Sequence, residues 1–214
     1  MVGARELELG VFSPKAYVDA NDRGVEAVAI ATATLRGSPT YLGYLMMRRP
    51  RRGRLVLDDA RGRRVAWVDR ASASGYLYPR AMLLDKGIDP DAFFATQQDL
   101  GNHTRVVQAV LSGEADVAAV ASSFADPGTG SFVEGADELT VVAKTKHIPF
   151  DCVVVHRRLQ RELAKDLRSA LLDLANDEPV RRALGASWGL DGFVQPMHDR
   201  YAEIRRIRDQ VGGG

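Results

Sequence analysis

Arg64-Val-Ala-Trp-Val-Asp-Arg-Ala-Ser-Ala-Ser-Gly-Tyr-Leu-Tyr-Pro-Arg80 joins a short apolar strand, 64–68, to a helix over 75–86 through a turn of small hydroxylated residues. Ser72 and Ser74 are of the type that caps a helix start, and Gly75 lets the backbone come close to another group. The free N–H groups and the dipole at such an end favour an anion, and two hydroxyls beside them add neutral donors. A desolvated phosphoryl group needs many convergent donors and no clashing charge. Plain capping by serine accounts for the same residues without any ligand, so these few positions leave both readings open.

Outward from this stretch the chain alternates. Val25 to Thr34 and Tyr41 to Met47 read as strands, followed by the arginine-dense connector Arg48-Arg-Pro-Arg-Arg-Gly-Arg54. Phe94 to Gln98 is a weaker strand. Thr104 to Ser112 is helical, with Val106, Val107, Val110 and Leu111 on one face and Gly113 at its end. Strands follow at 116–121, 139–145 and 152–156. Arg161 to Asn176 is a helix whose leucine stripe packs on a sheet, and Glu178 to Gly185 is a short helix with Pro179 in its first turn. Asp199 to Val211 is the last helix, and the closing Gly212-Gly-Gly214 frays. Strands alternating with helices predict an α/β fold with a mainly parallel sheet covered on both faces.

Composition narrows the function. In 214 residues, 29 Lys and Arg balance 28 Asp and Glu, whereas a general nucleic-acid binder is much more basic. The single cysteine, Cys152, excludes an intramolecular disulfide and argues against a Cys-based metal site. His103, His147, His156 and His198 have no metal-like spacing, and G-x-S-x-G, H-E-x-x-H and Walker patterns are absent, so neither a metal, a cofactor nor a catalytic residue is expected. No apolar run approaches the roughly 20 residues of a membrane span. Met1 to Gly10, with Arg5, Glu6 and Glu8, is not a secretory signal.

Several segments share a family signature. Ser72-Ala-Ser-Gly-Tyr-Leu-Tyr-Pro-Arg80 resembles the S-T-S-G-Y-x-x-P-R pattern of the phosphate/phosphite/phosphonate-binding proteins of ABC transporters. Gly101-Asn-His-Thr-Arg105, Val110-Leu-Ser-Gly-Glu-Ala-Asp-Val-Ala-Ala119, Lys144-Thr-Lys-His-Ile-Pro-Phe-Asp151, Gly37-Ser-Pro-Thr-Tyr41 and Asp199-Arg-Tyr-Ala-Glu-Ile-Arg205 are similar to further stretches of that family, in its order. The resemblance implies a two-lobed type 2 periplasmic-binding-protein fold, with lobe 1 at 1–42 and 152–214 and lobe 2 at 43–151. Glu6-Leu-Glu-Leu-Gly-Val-Phe-Ser-Pro14 resembles a family stretch normally preceded by a β-α-β unit. Lobe 1 is therefore expected to lack that unit, and dimerisation or strand exchange is expected to cover the exposed edge.

The resemblance also implies a ligand set. Ser72, Ser74 and the N–H groups of Gly75 and Tyr76 would hold the anion's oxygens, with Ala73 standing where the family has threonine and removing one hydroxyl. Tyr41 would add its phenol and His103 an imidazole N–H, or a charge if protonated. Asp151 would meet an amine, accept a proton from a protonated ligand oxygen, or orient Tyr41 or His103. A second acid expected near Ser123 is missing from Ala121-Ser-Ser-Phe124, which turns the expectation from amino-phosphonates towards plain phosphonate, phosphite or phosphate. Asp116 reads as structural and the arginines from Arg48 to Arg64 as a solvated connector. The implied function is oxyanion capture in an interlobe cleft for an ABC importer, with its permease as partner. A ligand-sensing domain on the same fold is the alternative, and an enzyme is disfavoured. An extracytoplasmic location, periplasmic or membrane-tethered, follows from the resemblance, while this chain's own start leaves a cytoplasmic one open.

Overall fold

Ala27–Thr34 carries only small and β-branched residues, and nearly every one is buried. Strands of this kind, covered on both faces, belong at the centre of a sheet. A computed structural model describes residues 8–212, in which this strand is β2. The strands are β1 (Leu9–Phe12), β2 (Ala27–Thr34), β3 (Thr40–Tyr41), β4 (Gly43–Arg48), β5 (Arg64–Trp67), β6 (Thr96–Asp99), β7 (Val117–Ala121), β8 (Leu139–Lys144), β9 (Ile148–Pro149), β10 (Cys152–His156) and β11 (Gly192–Val194). The α-helices are α1 (Pro14–Asp22), α2 (Tyr78–Asp85), α3 (Pro90–Phe93), α4 (His103–Ser112), α5 (Arg161–Asp173), α6 (Glu178–Trp188) and α7 (His198–Val211). Arg5, Glu6 and the last two glycines, discussed above from sequence, lie outside the described residues.

The chain divides into two compact units. One comprises Met1–Thr40 with Pro149–Arg206, the other Tyr41–Ile148 with Ile207–Gly214. The two crossings, at β3 and β9, pair with each other as a two-stranded sheet.

In the first unit the strand order is β1-β10-β2-β11, and every pair is antiparallel. Helices α5 and α6, with Leu174 in the turn that follows α5, lay Leu167, Leu171 and Leu184 against the face formed by Ala31, Ala33, Val153, Val155 and Phe193. On the opposite face Tyr17 of α1 and Tyr201 of α7 meet edge to face at 4.9 Å. The Tyr201 hydroxyl bonds Thr32 Oγ1 at 2.9 Å in the buried interior. Cys152 is buried in the same layer, and burial pushes its thiol up to about 12, so it is an inert core residue.

The second unit carries the order β6-β5-β7-β4-β8. Alternation along β4 sends Tyr44 and Met46 to one face, under α4 with Val106, Val107 and Val110, and Leu45 and Met47 to the other, with Trp67, Leu83, Phe93 and Phe94. Only β5–β6 and β5–β7 are parallel, while β4 runs antiparallel to both β7 and β8. The expectation of a mainly parallel sheet is therefore corrected. The chain enters this unit along β4 and leaves it along β8, so the two neighbours run in opposite directions; the same out-and-back path sets β2 against β10. The sequence also reads one strand over 41–47 where β3 and β4 are separated at Leu42. Strand β1 and helix α1 were not anticipated; α1 starts with Ser13 Oγ accepting from Ala16 N and with Pro14 in its first turn.

Leu45 is fully buried, whereas Leu163 of α5 is 43% exposed. Leu45→Ala is expected to lower unfolding free energy by about 2–5 kcal/mol, and Leu163→Ala by less than about 0.5 kcal/mol, both read by urea denaturation.

Candidate anion-binding site

Three parallel strands of the second unit, β5, β6 and β7, end at the same side of their sheet, the side where ligands bind in open α/β sheets. The loop after β5 carries Ser72 to Tyr76, the loop after β6 leads to His103, and β7 ends at Ala121-Ser122-Ser123. The predicted helix start departs from a regular α-helix. Ala73–Leu77 forms a π-helical turn, with Leu77 N donating to Ser72 O at 3.0 Å, before α2 begins at Tyr78. Ser72 caps it: its Oγ accepts from Gly75 N at 3.0 Å. The opening turn of any helix leaves its first N–H groups without a partner inside the helix; here Gly75's is held by Ser72. Ser74 is buried and Ser72 half-buried.

These loops are tied into a closed ring. Val68 N donates to Gly75 O at 3.2 Å, and Gly101 N to Val68 O at 2.7 Å. Two residues on, His103 begins α4 behind the cap Asn102, whose side chain accepts from Arg105 N. Ala121 N donates to His103 Nδ1 at 3.2 Å. Ala121 pairs with Gly43 across β7 and β4. A Cβ at Gly43 would stand 2.9 Å from Ser74 O, so glycine is needed there for the turn to settle against β4. A Cβ at Gly75 would stand 2.4 Å from Val68 Cγ2, deep inside contact distance. The sequence reading credits Gly75 with close approach to a ligand; the structure adds that it first has to approach Val68.

His103 is neutral at pH 7. Burial lowers its pKa to about 4, against a weaker upward pull from Asp69. Because Nδ1 accepts the Ala121 N–H, the ring's own proton sits on Nε2, which leaves an uncharged donor. Phe124 stacks on the ring with centroids 4.5 Å apart. Two carboxylates at this end accept hydrogen bonds: Asp69 Oδ1 accepts from Ala71 N at 2.7 Å, and Asp126 Oδ2 accepts from the Tyr44 hydroxyl at 3.3 Å.

Other expected residues fall as follows. Tyr41 is half-buried on β3 and belongs to the second unit. Tyr76 turns its ring into the core, edge to face with Trp67 at 5.6 Å and under the Arg80 guanidinium at 5.1 Å, so only its backbone is available to a ligand. Arg80, buried, bonds Asp91 Oδ1 and Gln97 Oε1, and Gln97 Oε1 also accepts from Trp67 Nε1. The final arginine of the motif is thus a brace beneath α2. Asp116 is structural: it accepts from Arg64 N, Nε and Nη2, and those bonds hold its carboxyl down at about 2. Asp151 belongs to the first unit. Its side chain touches water, yet the wider shell of protein around it displaces enough solvent to push its carboxyl up to about 6. Val68, Gly43, Ser122 and Phe124 were not singled out from sequence. Ser122 N donates to Leu42 O at 2.8 Å, and its Oγ accepts from Leu42 N at 3.4 Å, which ties the start of β4 to the end of β7. No group of acidic, histidine or cysteine side chains suited to a metal ion occurs among the described residues.

Comparison with known proteins gives a consistent result. Residues 1–201 match the sequence profile of a family described as the periplasmic phosphonate substrate-binding protein of ABC transporters. The phosphate-import protein PhnD of Mycolicibacterium smegmatis is 28% identical over 233 aligned positions, covering 98% of this chain and 70% of the relative. The structure of PhnD1 from Prochlorococcus marinus in complex with methylphosphonate superposes with a TM-score of 0.82 at 17% identity, over 99% of this chain and 80% of that one. XAC2383 from Xanthomonas citri, bound to ATP, gives 0.78 at 21% identity, over 98% and 82%. At these identities the structural matches show the fold, that of the type 2 periplasmic binding proteins.

Two outcomes test this geometry. Gly75→Ala is expected to destabilise the protein by about 1–3 kcal/mol, measured by chemical denaturation, because Val68 or the turn has to move. The His103 imidazole is expected to titrate near pH 4 by NMR. Since its folded pKa lies below the unfolded value, the stability it carries is complete above about pH 6.5 and is lost as pH falls towards 4. His103→Gln should remove that part of the acid dependence.

Proposed function

The chain belongs to the periplasmic substrate-binding proteins of phosphonate ABC transporters, and we propose that it captures a small phosphorus oxyanion, namely phosphonate, phosphite or phosphate, for delivery to its transporter's permease. The family is one of binding components, not of enzymes. The observation that carries the ligand reading is the set of uncharged donors at one end of the second unit. Ser72, Ser74, the N–H groups of the turn other than that of Gly75, which Ser72 holds, and the Nε2–H of His103 belong to loops that leave neighbouring strands at this end, where Asp69 and Asp126 each accept a hydrogen bond. Hydrogen bonds to an anion from neutral groups are strong in a desolvated site and need no buried counter-charge.

Tyr41 adds a phenol donor in this reading. Asp151, on the first unit, has a carboxyl raised to about 6 by desolvation, which suits it to taking up a proton. Ser122 and Ser123 stand where an acid would greet an amine, which favours ligands without an amino group. The M. smegmatis relative is a phosphate-import protein and the P. marinus one holds methylphosphonate, and both ligands present the same oxygen face to such donors.

Thermal unfolding with phosphate, phosphite, methylphosphonate, aminoethylphosphonate and sulfate at matched ionic strength tests the proposal. A ligand at about 100 times its Kd adds about 2.7 kcal/mol, roughly 5–10 °C for a chain of this size. The expected result is a rise with one phosphorus oxyanion, absent with sulfate and lost in His103→Ala and Ser72→Ala. A flat response to every member would refute it.

A further inference from the structure

Eight arginines lie between Arg48 and Arg64. Five have assigned work. Arg48 bonds Glu138 Oε2 at 2.7 Å and Leu111 O at 2.6 Å, and Arg49 bonds Asp137 O at 2.8 Å. Arg61 pairs with Asp58 and lies over the Phe93 ring, Arg63 Nε reaches Asp59 O, and Arg64 holds Asp116. Arg51, Arg52 and Arg54 remain. All three are exposed, and none has an ion pair or hydrogen bond among the described residues. Beside them Val56 is 54% exposed.

The segment that carries them is anchored. Arg49 N donates to Glu138 O at one end, and Val56 N to Asp59 Oδ2 at the other; Leu55 and Leu57 pack on the core. It joins the end of β4 to the start of β5, whereas the candidate anion site joins the start of β4 to the end of β5. Six residues of strand separate the two ends by about 17 Å. That exceeds the screening length of about 8 Å in physiological salt, so these charges do not serve the small-anion site. They form a separate cationic pole at the far end of the sheet.

We infer that this pole, Arg51, Arg52 and Arg54 with Val56, docks the protein on an anionic phospholipid surface. Guanidinium groups match phosphodiester oxygens, and a neighbouring exposed aliphatic side chain enters the interface between headgroups and acyl chains. A loop offering three exposed guanidinium groups and one exposed apolar side chain suits a fluid anionic surface that conforms to it. The location is compatible with capture, because the ligand end of the sheet stays clear.

Flotation of the full chain with vesicles tests this. Binding is expected to equimolar phosphatidylglycerol and phosphatidylcholine, and not to phosphatidylcholine alone. It should disappear at about 1 M salt and weaken about a hundredfold in R51Q/R52Q/R54Q, the factor expected for three basic residues at an anionic surface. Because those side chains have no partner among the described residues, the variant's thermal midpoint should be unchanged. Val56→Ser, which removes no charge, should weaken binding several-fold and keeps the test independent of the arginine variant. Absence of binding to the anionic vesicles, equal binding to neutral ones, or full binding by both variants would overturn the inference. Displacement by polyglutamate at lower charge concentration than by vesicles would reassign the pole to an acidic protein surface and overturn it as well.

Discussion

The contact between Val68 and Gly75 constrains everything around the candidate site. A strand that ends in a β-branched residue presses directly on the turn that follows it, and only a residue without a Cβ fits. Once that turn is seated, Val68 can also accept from Gly101, and the loop leading to His103 is drawn alongside. Gly43 performs the equivalent service from the neighbouring strand. The site is thus built from backbone packing before any side chain is chosen for chemistry, which is why two glycines and a valine matter as much as the serines.

The electrical character of the site follows from the same packing. An imidazole that accepts a backbone N–H cannot take a second proton at that nitrogen, and burial keeps the other form neutral as well. Asp69 and Asp126 are turned to donors of their own. What the Ser72–Tyr76 turn and His103 themselves offer is dipolar rather than charged. Such a surface can receive an anion without first having to give up a counter-ion, and it binds by many moderate hydrogen bonds instead of one strong ion pair.

How much of this was legible in the sequence differs by feature. Ser72 to Arg80, His103 and the flanking strands were readable because turn chemistry and apolar runs are local signals. Topology was less so: alternation of strand and helix suggested parallel pairing, yet β4 and β10 pair against the trend because the chain leaves one unit and comes back, a non-local fact. Helix α1 escaped because its sequence, Pro14–Asp22, is polar and buries only Pro14 and Val18. The role of Arg80 was likewise hidden, since its partners Asp91 and Gln97 are not marked by any spacing rule. The roles of Val68 and Gly43 depend on steric closeness that no pattern of residue types encodes.

The out-and-back path has a consequence for synthesis. Both neighbours of β2 in its sheet, β10 and β11, are made more than a hundred residues after it. At ribosomal rates of about 5–20 residues per second, β2 waits on the order of ten seconds without a partner while the second unit is made. Its sequence, Ala27-Val-Ala-Ile-Ala-Thr-Ala-Thr34, is uncharged, rich in strand-forming residues and free of proline and glycine. Those are the traits of a segment that pairs with the wrong chain when left open. The second unit, whose own strands all lie between the two crossings, can complete its sheet in that interval, so the nascent chain carries a finished sheet and an unpaired strand at the same time. For this protein the vulnerable moment in folding is the wait for β10, and a holding chaperone would have its clearest target in a strand that the folded molecule buries almost entirely.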